Sequence, residues 1–215
     1  MSNVLFSCRR WYYRASLRGN RSKAHPFIIL IVADDLGYGD LGCCGSKVHD
    51  TPNIDALAAS GMRLTDFHSA GAMCSPTRAS LLTGLYPQRF GGMFDGALSG
   101  TTQRQHGLPL EAETIAERLR EKGYATGCFG KWHLGYRAPF LPTRQGFDVF
   151  RGLVSGDGDF HTQIDRSGNE DWWHNETLVR EEAYTPFACQ MRFEWAVSGN
   201  GRSHPSSWAS PRGRF

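Results

Sequence analysis

The sequence predicts an α/β fold, a parallel sheet flanked by helices, on three observations. The run Phe27-Ile28-Ile29-Leu30-Ile31-Val32 is continuously β-branched or aromatic and reads as a strand buried on both faces. Two later segments each carry an N-cap, a Pro, an apolar stripe and a closing Gly, which is a helix signature. Strand and helix patterns then alternate up to Asp148, as they do around a parallel sheet.

Taken in order, residues 1–25 mix Arg, Ser and Asn with Trp11, Tyr12 and Tyr13 at neither period and are expected to be disordered. The strand over 27–33 ends at Asp34-Asp35-Leu36-Gly37. Thr51-Pro52, then Ile54, Leu57 and Ala58, then Gly61 give the first helix. Met62–Phe67 reads as a short strand. Ser75-Pro76, Ala79, Leu81, Leu82 and Gly84 give the second helix, with Cys74 immediately before it. A third helix is marked by Glu111 and Glu113 early, Ile115, Ala116 and Leu119 on one face, Arg118, Arg120 and Lys122 late, and Gly123 at its end, charges that suit the helix dipole. Tyr124–Phe129 fits a strand closed by Gly130-Lys131-Trp132-His133. Beyond Asp148 the Gly-, Asp- and Trp-rich chain reads as long loops with at most short strands, and nothing after Ser198 offers a core.

The 215 residues carry 24 Lys and Arg against 21 Asp and Glu, but the excess sits at the ends. Residues 26–188 hold 14 basic and 20 acidic groups, so the middle of the chain suits a cation and the basic ends are no nucleic-acid footprint. The longest apolar run, Phe27–Ala33, falls far short of the ~18 residues of a membrane span, and no export signal is visible. The six cysteines show no Cys-x-x-Cys spacing, which argues against a zinc site or a disulfide framework; all but Cys74 are expected to be small packed or surface residues.

Three groups carry chemistry. Asp34-Asp35 follows the predicted central strand, where open α/β sheets place ligands, and paired carboxylates suit a hard cation; they also suit a turn with Gly37. Cys74-Ser75-Pro76-Thr77-Arg78 sets a thiol at a helix start, which favours an anion, with a guanidinium four residues on; a buried Cys beside an ion-paired Arg is the plainer alternative. Lys131 and His133 follow a predicted strand that would deliver them to the rim where Asp34 lies.

Four ordered blocks, Ile31–Gly42 (IVADDLGYGDLG), Thr51–Asp55 (TPNID), Cys74–Gly84 (CSPTRASLLTG) and Gly123–Gly135 (GYATGCFGKWHLG), resemble the type I sulfatases, most of all the arylsulfatases. The Cys-x-Pro-x-Arg run with its following Leu-x-x-Gly is the most specific of them. The likeness spans Pro26 to Tyr184, with Phe129 standing where the family has a small or aliphatic residue. It implies an alkaline-phosphatase-like fold with a mixed, mainly parallel sheet, and a domain plan of a basic segment 1–25, the N-terminal part of a catalytic domain over 26–184, and a divergent tail over 185–215.

The resemblance also implies roles. Cys74 matches the cysteine that a formylglycine-generating enzyme oxidises to formylglycine. Asp34 and Asp35 match ligands of a divalent cation, usually calcium with magnesium as the alternative, and the modified residue 74 joins them. Arg78 matches the arginine that holds the formylglycine, while Lys131 and His133 match the pair contacting nucleophile and sulfate. The aldehyde hydrates, one hydroxyl attacks sulfur, and the second expels sulfate, which neither a thiol nor serine can do. The implied substrate is an aryl or carbohydrate sulfate ester, and family members are usually exported. The distal Asp with Asn or His for the metal, the His that protonates the leaving group and the Lys for sulfate have no counterpart here, and from Thr185 on the sequence resembles nothing in the family. An inactive fragment is therefore the alternative expectation. Phosphate-ester hydrolysis on the same scaffold is a third, opposed by Cys where those relatives use Ser or Thr. Trp172-Trp173-His174 is read as loop core in preference to a sugar-binding surface.

Overall fold

The computed structural model describes residues 6–7 and 26–180. The chain forms two compact units, one up to Ala72 and one from Met73 onward. The rest of segment 1–25, and 181–215 with the expected tail, lie outside the described residues.

In the first unit, β1 (Phe6–Ser7) pairs antiparallel with β2 (Met62–Arg63), so the strand expected over Met62–Phe67 keeps only its first two residues. Helix α1 spans Pro52–Ser60 between Thr51 and Gly61, as its start and stop residues predict. Thr51 does not cap the helix through its own hydroxyl. That hydroxyl accepts from the Gly42 N–H at 2.8 Å and donates to Asp55 Oδ1 at 2.9 Å, and the same oxygen accepts the Cys43 N–H at 2.7 Å. The first turn of α1 is thereby tied to the tight turn Gly42–Cys44. A Cβ on Gly42 would lie 2.3 Å from the Asp55 carboxylate, so a larger residue there would displace that carboxylate from its hydrogen bonds.

The central strand expected over 27–33 is not formed. Residues 26–33 have no regular structure, and their side chains are exposed, Phe27 by 75% and Ile31 by 72%. A two-sided strand exists only when neighbours take up its N–H and C=O groups on both edges, and among the described residues no strand pairs with this segment.

The second unit is built on a four-stranded mixed sheet in the order β3-β4-β5-β6. Strand β3 (Gly127–Phe129), the end of the stretch expected from Tyr124, runs parallel to β4 (Val149–Gly152), with Cys128 opposite Phe150. Strands β5 (Trp173–His174) and β6 (Thr177–Leu178) close the sheet as an antiparallel hairpin. Short strands were expected in this region, yet β4 is wholly buried. Trp172, 1% exposed, lies in a small cluster with Leu153.

Helix α2 (Cys74–Thr83) buries only small residues, Ser75, Pro76, Ala79 and Ser80, and ends at Gly84 in the left-handed conformation, φ 71°. Cys74 is its first residue, not the one before it, because Met73 is the extended cap. Helix α3 (Ile115–Glu121) begins later than Glu111 and Glu113 suggest. Thr114 and Glu117 form a reciprocal capping box, Glu117 N–H to Thr114 Oγ1 at 3.2 Å and Thr114 N–H to Glu117 Oε2 at 2.7 Å, and this geometry sets the start. The core holds Ala79 of α2 with Phe94, Leu98, Leu108, Trp132, Leu134, Tyr136 and Phe150. Among the described residues no helix is long and apolar enough to cross a membrane.

Candidate active site

The loop after β3 does not leave the sheet at Phe129. Gly130 N–H donates to Arg151 O (2.9 Å), Trp132 N–H to Leu153 O (2.8 Å) and His133 N–H to Val154 O (3.2 Å), while Leu153 N–H returns a bond to Gly130 O (3.2 Å). The loop thus follows the extension of β4 and carries Lys131 and His133 in register. The close approach requires Gly152, where a Cβ would lie 1.9 Å from the Gly130 carbonyl oxygen.

This loop meets the start of α2. Lys131 Nζ donates to Cys74 Sγ at 3.1 Å, and the Arg78 guanidinium donates to the Lys131 carbonyl. Spacing of four on a helix puts Arg78 one turn above Cys74 on the same side. One residue of the loop is therefore held at both its side chain and its backbone by the two residues of α2 that the sequence singled out.

His133 is 5% exposed and has a left-handed backbone, φ 55°, uncommon for a residue with a side chain. Its Nε2 lies 2.9 Å from Leu98 O. A carbonyl only accepts, so Nε2 carries the proton and Nδ1 is bare; Nδ1 has no hydrogen-bond partner among the described residues. Burial pushes the His133 pKa down, opposed by the Leu98 hydrogen bond and assisted by the Lys131 and Arg78 charges, to about 4. The ring is neutral at physiological pH.

The shell around His133 was invisible in the sequence. Tyr136 Oη also donates to Leu98 O (2.8 Å), and the Leu98 N–H donates to Ser75 Oγ (3.0 Å), so the backbone of one residue, Leu98, links the neighbour of Cys74 to the imidazole. The ring lies against Gly156, where a Cβ would fall 2.1 Å from His133 Cε1. Buried Asp171 accepts from Val154 N–H (3.1 Å), Ser155 N–H (2.8 Å) and Trp173 Nε1–H (2.7 Å) and so fixes the segment on which the His133 backbone hangs. Burial raises the Asp171 pKa even against these hydrogen bonds. No local pattern marks these residues, whose partners lie 16 to 38 positions away except for Trp173.

Asp34 and Asp35 belong to the first unit; both are exposed, and Asp35 is left-handed, φ 58°. They offer hard oxygen donors, right in kind for calcium. Two carboxylates supply at most four oxygens where calcium takes about six to eight, and no group of three or more His, Cys, Asp or Glu among the described residues is arranged to hold an ion. The described donors fit a cation in kind but not in number. Cys43, Cys44, Cys74 and Cys128 are half-buried and form no disulfide among the described residues.

Residues 26–188 match the family model described as Sulfatase. Human arylsulfatase A is 53% identical over 130 residues, covering 60% of this chain and 25% of that protein. Arylsulfatase G of Canis lupus familiaris is 47% identical over 128 residues, 60% of this chain and 23% of the relative. The chain thus spans about a quarter of the length of these relatives. Among solved structures, Ps i-CgsB in complex with k-i-k-neocarrahexaose superposes with a TM-score of 0.68 at 32% identity, over 80% of this chain and 41% of that one. The fold is that of the solved sulfatases, an alkaline-phosphatase-like mixed sheet flanked by helices, and this chain belongs to the sulfatase family.

Proposed function

We propose that this chain carries the nucleophile half of a sulfuric-ester hydrolase in which Cys74, converted to formylglycine, attacks an aryl or carbohydrate sulfate. The observation that carries the reading is the 3.1 Å contact between Lys131 Nζ and Cys74 Sγ at the first residue of α2, with Arg78 anchored on the same lysine. When present, the formylglycine hydrate supplies one hydroxyl to attack sulfur and a second to expel sulfate.

The residues of the chain do the rest. The Lys131 ammonium and the positive end of the α2 dipole put positive charge where an anion at residue 74 or a sulfate oxygen would develop. Arg78 holds Lys131 in place through its carbonyl and adds its own charge. His133, neutral with a bare Nδ1, is a proton acceptor whose affinity rises as negative charge builds nearby. The buried Leu98 carbonyl keeps that tautomer in place.

Asp34 and Asp35 would supply carboxylates to calcium, or to magnesium, at low affinity with so small a donor set. The partner that the Cys74-Ser75-Pro76-Thr77-Arg78 run addresses is a formylglycine-generating enzyme.

A second reading, a non-catalytic chain, is favoured by the small set of cation donors among the described residues, two exposed carboxylates where calcium takes about six to eight oxygens. Coexpression with a formylglycine-generating enzyme, peptide mass spectrometry and arylsulfate turnover test both readings together. Expected are an aldehyde at residue 74, and turnover only after the chain is extended with the distal part of a sulfatase catalytic domain. An unmodified thiol at residue 74 refutes the first reading, and turnover by the 215-residue chain refutes the second.

A further inference from the structure

We propose that Asn175 is an acceptor for an N-linked glycan. The triplet Asn175-Glu176-Thr177 has the Asn-x-Ser/Thr form with a central residue other than Pro. Such triplets arise by chance, so the decision rests on where the fold puts this one. It occupies the tip of the β5–β6 hairpin: His174 pairs with Thr177, which leaves Asn175 and Glu176 as a two-residue turn. Glu176 and Thr177 are exposed, and Asn175, half-buried, takes the left-handed conformation such a turn demands, φ 55°.

The amide orientation of Asn175 is settled chemically. Its Oδ1 accepts the Phe150 N–H at 2.9 Å, and its own backbone N–H donates to Phe150 O at 2.9 Å. An N–H requires an acceptor, so the oxygen faces β4 and Nδ2 is the diverging arm of the amide. Asn175 makes no other side-chain hydrogen bond among the described residues. Glycosylation replaces one hydrogen of Nδ2 and leaves Oδ1 an acceptor, so the bond that ties the hairpin to β4 survives. Glu176 is drawn away by Arg144 (3.0 Å) and Thr143 (2.9 Å), which pins the turn without using Nδ2.

The donor class is a lipid-pyrophosphate-linked oligosaccharide. Nδ2 forms a bond to the anomeric carbon, the bond from that carbon to the pyrophosphate oxygen breaks, the lipid pyrophosphate leaves, and the displaced Nδ2 proton passes to a base of the transferase. No oxidation or reduction occurs. This modification stands apart from the chemistry at residue 74.

The test uses the full 215-residue chain, diluted from denaturant into a reaction with a single-subunit oligosaccharyltransferase and a synthetic lipid-linked oligosaccharide. A short Asn-x-Thr peptide in the same tube reports transferase activity. A second triplet, Asn20-Arg21-Ser22, lies outside the described residues and is mapped separately. Glycopeptide mass spectrometry is expected to find the sugar on the Asn175 peptide, absent in Asn175→Gln and Thr177→Val and retained in Glu176→Gln. A bare Asn175 peptide beside a glycosylated control peptide overturns the proposal. After denaturant removal, the glycosylated chain is expected to regain the near-ultraviolet circular dichroism that the bare chain regains; loss of that signal in the glycosylated chain alone overturns the outward placement of Nδ2.

Discussion

The imidazole of His133 donates its Nε2–H to the carbonyl of Leu98 across 2.9 Å, and this bond leaves Nδ1 as the bare nitrogen, buried and without a hydrogen-bond partner among the described residues. Because the ring is buried next to two cations, the folded chain resists protonating it, with a pKa of about 4 against an ordinary value near 6.5. The unfolded chain binds the proton more readily. Stability from this residue is therefore complete above about pH 6.5 and is lost as pH falls toward 4, in total roughly 3 kcal/mol. Urea unfolding followed across that window should show His133→Phe with a shallower pH dependence than the parent, by up to about 1.4 kcal/mol per pH unit. Equal slopes would mean the buried ring does not control acid stability.

Lys131 and Arg78 are predicted to fail differently. Lys131 reaches Cys74 with its ammonium, so Lys131→Met in a formylglycine-bearing, extended protein should lower kcat/KM by about 10²–10³-fold with little change in Tm. Arg78 supports the loop through the Lys131 carbonyl, so Arg78→Ala should lower both kcat/KM and Tm. Paired kinetics and thermal unfolding separate the two; a Lys131→Met loss accompanied by an equal fall in Tm would make that lysine a structural residue only.

Three glycines should rank by what a methyl group meets. At Gly152 it strikes the Gly130 backbone at 1.9 Å, which cannot give way without parting the loop from β4, so Gly152→Ala should be the most damaging. At Gly156 it meets the His133 ring at 2.1 Å; Gly156→Ala should cost about 1–3 kcal/mol and shift the His133 proton resonances, because a side chain can move. Gly84, with φ 71° and open space around it, should lose only about 1 kcal/mol as Ala, from backbone strain. Chemical denaturation of the three variants checks the order.

Much of the architecture was legible because it is written locally. Thr51-Pro52 to Gly61 and Pro76 to Gly84 bracket α1 and α2 within a residue or two, and Cys74, Arg78, Lys131 and His133 stand in short runs whose proposed roles come from the family resemblance and not from their spacing. What failed was non-local. The pattern of 27–33 describes a strand but not its partners, and without partners among the described residues the run has no regular structure. The support of His133 by Leu98, 35 residues away, and of the Val154–Ser155 backbone by Asp171 arises only when β3 and β4 are side by side. A glycine such as Gly156 looks like any loop glycine until the ring is laid upon it.

The start of α3 offers a test of how a local cap was misread. Early glutamates suggested a helix from about residue 111, yet it begins after Thr114, whose hydroxyl accepts the Glu117 N–H and donates to Gln145 O at 2.8 Å from a fully buried position. Thr114→Val keeps the shape and removes both bonds, leaving a buried carbonyl and a helix N–H without their partner. The expected loss is about 2–3 kcal/mol, larger than the ~1 kcal/mol of an ordinary cap. Thr114→Ser, which restores the hydroxyl and removes only a methyl, should recover most of it. Glu113→Gln should change stability by less than about 0.5 kcal/mol, since its Arg118 contact lies on the surface. If Glu113→Gln proved as harmful as Thr114→Val in urea unfolding, the surface charges, not the capping box, would govern where the helix starts.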